Sequence, residues 1–100
     1  MAKKGFSELI NSETLVLVDF FAEWCGPCKM ITPILNDLKN DLGEQVKIVK
    51  IDVDKNPSIS NSQQIRSIPT LMLFKKGKML WRKSGVPTKV ELKNLIVNHQ

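Results

Sequence analysis

An apolar run from Leu15 to Ala22, interrupted only by Asp19, constrains the fold of this chain more than any other segment. Leucine, valine and phenylalanine dominate the run, and such continuity is typical of a strand that is covered on both faces. The run therefore predicts a central β-strand with helices on both sides of the sheet. Because Asp19 lies inside this strand, we expect its carboxyl group to be buried and its pKa to be raised by desolvation.

The segment Trp24-Cys25-Gly26-Pro27-Cys28 follows and contains both cysteines of the chain. Glycine allows the chain to bend, and proline sets the φ angle for the first turn of a helix. Two thiols at this spacing can form and reopen a small disulfide ring. A cysteine at a helix start faces unpaired N–H groups and the positive end of the helix dipole, which favour the thiolate. The segment therefore predicts a redox-active dithiol.

Two other roles for the cysteine pair compete with this interpretation. A permanent disulfide at this spacing would close a very short loop and would stabilise the fold little. A structural zinc site needs about four ligands. His99, next to the last residue, is the one histidine that could join Cys25 and Cys28. We therefore favour the redox couple and predict no metal site.

The composition indicates one globular domain over residues 1–100, with 42% apolar and 25% charged residues. The net charge of +5 does not indicate nucleic-acid binding, because the lysines are scattered rather than gathered with aromatic residues. Acidic protein partners fit this charge better. Since no apolar run has the length of a signal peptide or a membrane span, we predict a cytoplasmic protein with no membrane association. In that reducing compartment a CxxC pair is better explained as a working couple than as a permanent bridge.

Hydrophobic periodicity and capping residues define the other elements. The predicted elements, in order, are a helix within 5–11, the strand at 15–22, a helix from the cysteines to Gly43, a strand at 46–53, a helix from Pro57 to about Gln64 capped by Asn56, strands at 71–74 and 78–84 joined by a hairpin, and a helix after Thr88. This order predicts a mixed α/β sheet of four strands, in which a parallel βαβ pair lies beside an antiparallel hairpin. Glu91 lies at capping-box distance from Thr88, and we assign Asp52 and Asp54 to capping or solvation.

The order of elements and the sequence WCGPCK together resemble the thioredoxin family over nearly the whole chain. Further matching segments are VDFFAEWC, KIDVDKNP, IRSIPT and the KKG hairpin with Gly85 beyond it. The resemblance implies a thioredoxin fold, a central mixed four-stranded sheet with helices on both faces. Since only residues 1–4 precede the first helix, the family's first strand is predicted to be short or absent. Phe21 stands where a tryptophan is common, and we expect Trp81 to cover the sheet as a half-buried aromatic.

The resemblance also implies roles for the matching residues of the dithiol. Cys25 would be the exposed nucleophile and Cys28 the buried resolving thiol, joined in the oxidised state by a disulfide, with Gly26 and Pro27 shaping the turn between them. Asp19 would transfer the proton of Cys28.

A second group of matching residues would bind the substrate. Pro69 would follow a cis peptide bond, and the backbone of Ile68 before it would pair with an extended segment of substrate. The other members of the implied apolar contact surface are Trp24, Val53, Gly85 and Val86. Lys50, outside this surface, would be the partner of Asp19.

The function implied is that of a protein-disulfide reductase, an electron-carrying thiol–disulfide oxidoreductase that binds no cofactor itself. Electrons would come from NADPH through a flavin-containing thioredoxin reductase. The expected partners are this reductase and disulfide-containing proteins, and the chain would be a monomer. Two alternatives stay open: a disulfide oxidase or isomerase in an oxidising compartment, and a binding subunit with this fold and no turnover.

Overall fold

A computed structural model describes residues 5–100, which form a four-stranded sheet with helices on both faces. The elements are α1 (Phe6–Ile10), β1 (Leu15–Phe21), α2 (Gly26–Leu42), a 3₁₀ turn (Gly43–Gln45), β2 (Val46–Asp52), α3 (Pro57–Ser62), β3 (Thr70–Lys75), β4 (Lys78–Ser84) and α4 (Lys89–Asn98). The family's first strand would fall on residues 1–4, which lie outside the described residues.

The strands lie in the order β2-β1-β3-β4. β1 is parallel to β2 and antiparallel to β3, and β3 and β4 form an antiparallel hairpin. This arrangement confirms the predicted parallel pair beside a hairpin. The register places Asp19 between Lys50 of β2 and Leu71 of β3, at the centre of the sheet.

Both faces of β1 are covered, as its apolar run predicts. Leu15 and Leu17 pack with α2 and α4 on one face, whereas Val16, Val18 and Phe20 pack on the face that carries α1 and α3. Each of these side chains is at most 1% exposed, so each contributes about 1.5 to 3 kcal/mol by burial. Since side chains alternate along a strand, residue 19 points to the same face as residues 15 and 17, towards α2.

The first helix, α1, has only five residues, too few for a helix to be stable without tertiary contacts. The Phe6 ring provides such contacts, with centroids 6.1 Å from Phe20 and 5.7 Å from Phe74. The amide of Gly77 in the hairpin turn also donates to the carbonyl of Ile10. Packing, rather than helix propensity, therefore holds this segment on the sheet.

Capping residues set the ends of α2 as predicted. The helix ends at Leu42, and Gly43 beyond it adopts a positive φ of 53° that favours glycine. The Lys39 ammonium donates to the carbonyls of Gly43 and Val46, each at 2.7 Å, and so ties the last turn of the helix to the segment that leads into β2.

Thr88 caps α4 as predicted, but the predicted capping box with Glu91 and the predicted Asn56 cap differ from the structure. Thr88 accepts a hydrogen bond from the Glu91 amide at 3.1 Å, but the Glu91 carboxylate binds Lys83 of β4 at 2.9 Å instead of closing a capping box. Asn56 precedes α3, yet its side chain donates to the carbonyl of Asp52 rather than capping the helix. In both cases a neighbouring strand offers the side chain a partner that helix patterning does not reveal.

The predicted position of Trp81 is confirmed. Its ring is half-buried on β4 and packs against the core on the face of the sheet that carries α2 and α4.

Candidate active site

The cysteines lie where β1 passes into α2. The amide of Cys25 donates to the carbonyl of Ala22 at 3.1 Å, and Cys25 then forms the N-cap of α2. Cys25 and Cys28 form a disulfide, with their Cα atoms 5.3 Å apart, within the range that disulfides span. The Cys28 amide donates to the Cys25 Sγ at 3.2 Å. The sulfur of Cys25 therefore occupies the position where a helix N-terminus stabilises negative charge.

Both cysteines are buried, with 4% of Cys25 and 3% of Cys28 exposed. The expectation that Cys25 is exposed is therefore wrong for the disulfide-bonded state. The physical reason is packing: Ala22, Val53 and Ile68 close around the two cysteines together with Phe21. The difference between the two sulfurs lies in their position, because Cys25 precedes the first turn of α2 and Cys28 lies within it.

Trp24 lies beside the disulfide with 72% of its surface exposed. Its indole Nε1–H donates to Asp54 Oδ2 at 2.8 Å, which fixes the ring in an exposed position. Asp52 caps no helix but forms the turn after β2, because its Oδ1 accepts from the amides of Asp54 and Lys55. Asp54 is a site residue that the sequence reasoning missed. The predicted parallel pairing of β1 and β2 could have indicated that Asp54 lies near Trp24, since it brings the segments that follow both strands to one edge of the sheet.

A groove of about 190 Å³ runs past the disulfide between two loops. Val53 and Ile68 belong both to this groove and to the packing around the cysteines. The Ile68–Pro69 peptide bond is cis. The residues that line the groove are Trp24, Val53, Ile65, Arg66, Ser67 and Ile68.

Of the remaining residues of the expected contact surface, Gly85 contacts the Pro69 backbone, whereas Val86 lies away from the cysteines. The Gly85 amide donates to the Pro69 carbonyl at 2.9 Å, and Gly85 itself has a positive φ of 96°. Val86 packs against the core on the side of α2 and α4 and is not among the side chains around the cysteines. The structure thus brings Trp24, Val53 and Ile68 together and leaves Val86 apart from them.

Asp19 is fully buried, and neither of its carboxyl oxygens has a hydrogen-bond partner. Burial raises the pKa of this carboxyl from 3.8 to about 6, and the positive charge of Lys50 offsets part of the rise. Lys50 makes no direct ion pair with it. The Lys50 ammonium instead donates to Thr32 Oγ1 at 3.2 Å and lies 5.1 Å from the centre of the Phe21 ring. Asp19 and Lys50 are neighbours in the strand register, but they interact only by long-range electrostatic attraction.

A second cavity, of about 270 Å³, reaches Cys28 from the side of Lys50. It lies on the face of the sheet to which Asp19 points, and its volume is ample for water. Its lining residues are Phe21, Ala22, Glu23, Cys28, Lys29, Thr32 and Lys50. Cys28 therefore borders a cavity on the side of the sheet that carries Asp19 and Lys50.

Within residues 5–100, no three histidine, cysteine, aspartate or glutamate side chains are grouped to hold a metal ion. His99 lies at the end of α4, where its Nδ1 is 2.8 Å from the Leu95 carbonyl. No helix in the same part of the chain is both long and apolar enough to cross a membrane.

Comparisons with known proteins point to one family. The Thioredoxin family model matches residues 1–98. A thioredoxin of Chlamydia trachomatis is 47% identical over 100 residues, covering all of this chain and 96% of that protein. A thioredoxin of Rickettsia bellii is 47% identical over 97 residues, covering 96% of this chain and 92% of that protein.

Two solved structures are also similar. Mitochondrial thioredoxin 3 of Saccharomyces cerevisiae, in its oxidised form, superposes with a TM-score of 0.82 at 34% identity, covering 93% of this chain and 86% of that one. Thioredoxin-2 of a malaria parasite gives a TM-score of 0.83 at 34% identity, covering 86% of this chain and 84% of that one.

Proposed function

This chain belongs to the thioredoxin family, and we propose that it acts as a protein-disulfide reductase. It is a thiol–disulfide oxidoreductase whose redox-active pair is Cys25 and Cys28. The observation that carries the direction of attack is the hydrogen bond from the Cys28 amide to the Cys25 Sγ. It marks Cys25 as the sulfur on which a helix N-terminus stabilises a thiolate.

The reaction begins with the reduced dithiol. The Cys25 thiolate attacks one sulfur of a protein disulfide, a mixed disulfide forms, and the other substrate sulfur leaves as a thiolate that takes up a proton. Cys28 then loses its proton and attacks Cys25 Sγ, which releases the second substrate thiol. Two electrons have passed to the substrate, and the chain is left with the Cys25–Cys28 disulfide.

Thiolate formation alone contributes little to the rate. Lowering the pKa of a thiol from about 8.5 to about 7 raises its thiolate fraction at pH 7 roughly fifteenfold, but its nucleophilicity falls about fivefold. The net gain is only about threefold, so most of the rate comes from holding the target sulfur in line with Cys25.

The groove beside the disulfide performs that positioning. Val53 and Ile68 pack against the cysteines, and Trp24 projects at the rim, held by Asp54. An extended segment of substrate pairs with the backbone of Ile68, the residue before Pro69, as an added strand. The Gly85 amide donates to the Pro69 carbonyl and so helps to hold this backbone in place.

Proton transfer for Cys28 is the role of Asp19. A buried thiol resists ionisation and needs a base. A carboxyl whose pKa is about 6 can take up and release a proton near neutral pH, and Asp19 points to the face of the sheet on which the cavity next to Cys28 lies. The charge of Lys50 keeps the pKa of Asp19 from rising further.

Thioredoxins act on disulfide-containing proteins, and reductases return their disulfide to the dithiol. For this chain the electron source is NADPH through a flavin-containing reductase, the compartment is the cytoplasm, and the working form is a monomer built as one domain over residues 1–100. One continuous sheet across residues 15–84 supports the single domain, and a reducing compartment suits a dithiol that must be re-reduced.

We expect the chain to reduce insulin, as a generic disulfide protein, with continuous consumption of NADPH when a flavin-containing thioredoxin reductase is supplied. A parallel reaction with dithiothreitol as the electron source separates failure to bind the reductase from failure of the dithiol. No turnover in either reaction would contradict the proposed function and favour a binding subunit. A reduction potential well above that of cytosolic glutathione would instead indicate an oxidase or isomerase.

A further inference from the structure

The end of α3 leads directly into the groove and has an unusual residue at its turn. The Gln64 amide donates to the Asn61 carbonyl and the Ile65 amide to the Ser60 carbonyl, at 3.1 and 2.9 Å. These two bonds make a Schellman motif, in which the residue after the C-cap adopts a left-handed conformation and is usually glycine. Here that residue is Gln64, with a φ of 54°, a conformation that a side chain disfavours.

Arg82 of β4 binds this turn with both ends of its guanidinium. Its Nη1 donates to the Gln63 carbonyl and its Nη2 to the Gln64 carbonyl, each at 2.7 Å. Carbonyls at a helix C-terminus lack partners within the helix, and two charged donors in a rigid fork match them well. Arg82 itself is opposite Met72 in the β3–β4 register, so the turn is tied to the sheet.

The segment that follows the turn is the far wall of the groove. Ile65, Arg66, Ser67 and Ile68 all line it. Its other end is anchored separately, because the Thr70 hydroxyl donates to the Ser67 carbonyl at 2.7 Å. The wall is thus held at one end by a strand residue next to Pro69 and at the other by Arg82.

We propose that Arg82 is a positioning residue for substrate binding: by holding the turn at Gln63 and Gln64, it sets the groove wall that an extended protein substrate must contact. This inference rests on the proposed function and deepens it. Arg82 takes no part in the thiol chemistry, so a disulfide too small to occupy the groove reacts independently of it. A lysine replaces it poorly, because an ammonium lacks the rigid planar fork that aims two N–H groups at the two carbonyls.

The test compares Arg82→Gln with the unaltered chain on two substrates under single-turnover conditions. With an oxidised protein substrate such as insulin, the second-order rate constant is expected to fall about fivefold, through a higher half-saturating concentration at an unchanged maximal rate. With dithiobis(nitrobenzoate), a small aromatic disulfide, the rate is expected to stay the same. Arg82→Lys should behave like Arg82→Gln.

Two further variants separate positioning from charge and from general stability. Lys78→Gln removes the same charge from the same strand and should change neither rate. Gln64→Gly in the Arg82→Gln background relieves the left-handed residue that Arg82 stabilises and should restore most of the rate with insulin.

Three results would overturn the inference: no loss with insulin, an equal loss with both substrates, or no recovery in the double variant. Failure of the unaltered chain to reduce insulin while it still reduces the small disulfide would count against the proposed function, not against the structural role of Arg82. Amide exchange at Ile65 reads that structural role directly, and it should be faster in Arg82→Gln.

Discussion

Replacing Cys25 by serine is expected to lower the rate of protein-disulfide reduction by about a thousandfold or more, because a hydroxyl at this position cannot act as the attacking thiolate. The helix N-terminus that stabilises charge on Cys25 Sγ remains in the variant but has no thiolate to act on. The measurement is the single-turnover reduction of insulin by the reduced protein, followed by the release of substrate thiols.

The matched control is Cys28→Ser, which keeps the attacking sulfur. It should complete the first exchange and then stop, since no thiol resolves the mixed disulfide. Both variants lack the native disulfide, so their unfolding must be compared with that of the reduced unaltered chain. A Cys25→Ser protein that still reduces insulin, or a Cys28→Ser protein that loses the first exchange as well, would contradict the assignment of the two sulfurs.

Replacing Asp19 by asparagine is expected to stabilise the fold at neutral pH. A rise of the carboxyl pKa from 3.8 to about 6 corresponds to about 3 kcal/mol, which the unaltered chain loses by ionising a buried group that has no hydrogen-bond partner. Asparagine has a similar shape and carries no charge, so the variant does not pay this penalty.

The contribution of Asp19 to the free energy of unfolding depends on pH, in a direction set by its raised pKa. Because the pKa of Asp19 is raised on folding, its protonated form is favoured in the folded state. The favourable contribution is complete below about pH 4, falls as the pH rises through about 6, and is absent above that. Urea unfolding from pH 4 to 8 should show this fall in the unaltered chain and not in Asp19→Asn. The pKa of Asp41 is shifted in the opposite direction by its hydrogen bond with Lys89, but it is common to both proteins and cancels in the difference.

The same substitution tests the proton-transfer role. Asp19→Asn should slow resolution of the mixed disulfide by about a hundredfold while leaving the attack of Cys25 unchanged. Asp37→Asn, at an exposed carboxylate on α2, is the control. An unchanged rate of resolution would remove Asp19 from the mechanism even if its effect on stability were as expected.

Much of the fold follows from local patterns in the sequence. The continuous apolar run at residues 15–21 specifies a strand buried on both faces, and the breaker pair Gly26-Pro27 specifies where α2 begins. The connections then allow few arrangements, since a helical crossover joins parallel strands and a tight turn joins antiparallel ones. The solved structures, with TM-scores of 0.82 and 0.83, confirm the predicted thioredoxin fold.

Side-chain partners between distant segments could not be predicted in this way. Trp24 donates a hydrogen bond to Asp54, and Lys50 donates one to Thr32 rather than pairing with Asp19. Three-dimensional packing, rather than spacing along the sequence, selects these partners. The burial of Cys25 likewise depends on Val53 and Ile68 closing over it.

The most informative departure is the end of α3. The pattern predicted a helix that ends at about Gln64, and no glycine there marks a left-handed turn. The structure instead ends the helix at Ser62, and a guanidinium from β4 stabilises the left-handed turn. A long-range partner here replaces a local signal.

Trapping the mixed disulfide distinguishes Cys25, as the sulfur that attacks protein disulfides, from Cys28, as the sulfur that resolves the product. Reduced Cys28→Ser protein is mixed with oxidised insulin, free thiols are alkylated, and the adduct is digested and mapped by mass spectrometry. We expect a covalent adduct joined through Cys25, released by dithiothreitol and absent with Cys25→Ser. Recovery of no adduct from Cys28→Ser, while Cys25→Ser forms one through Cys28, would contradict it.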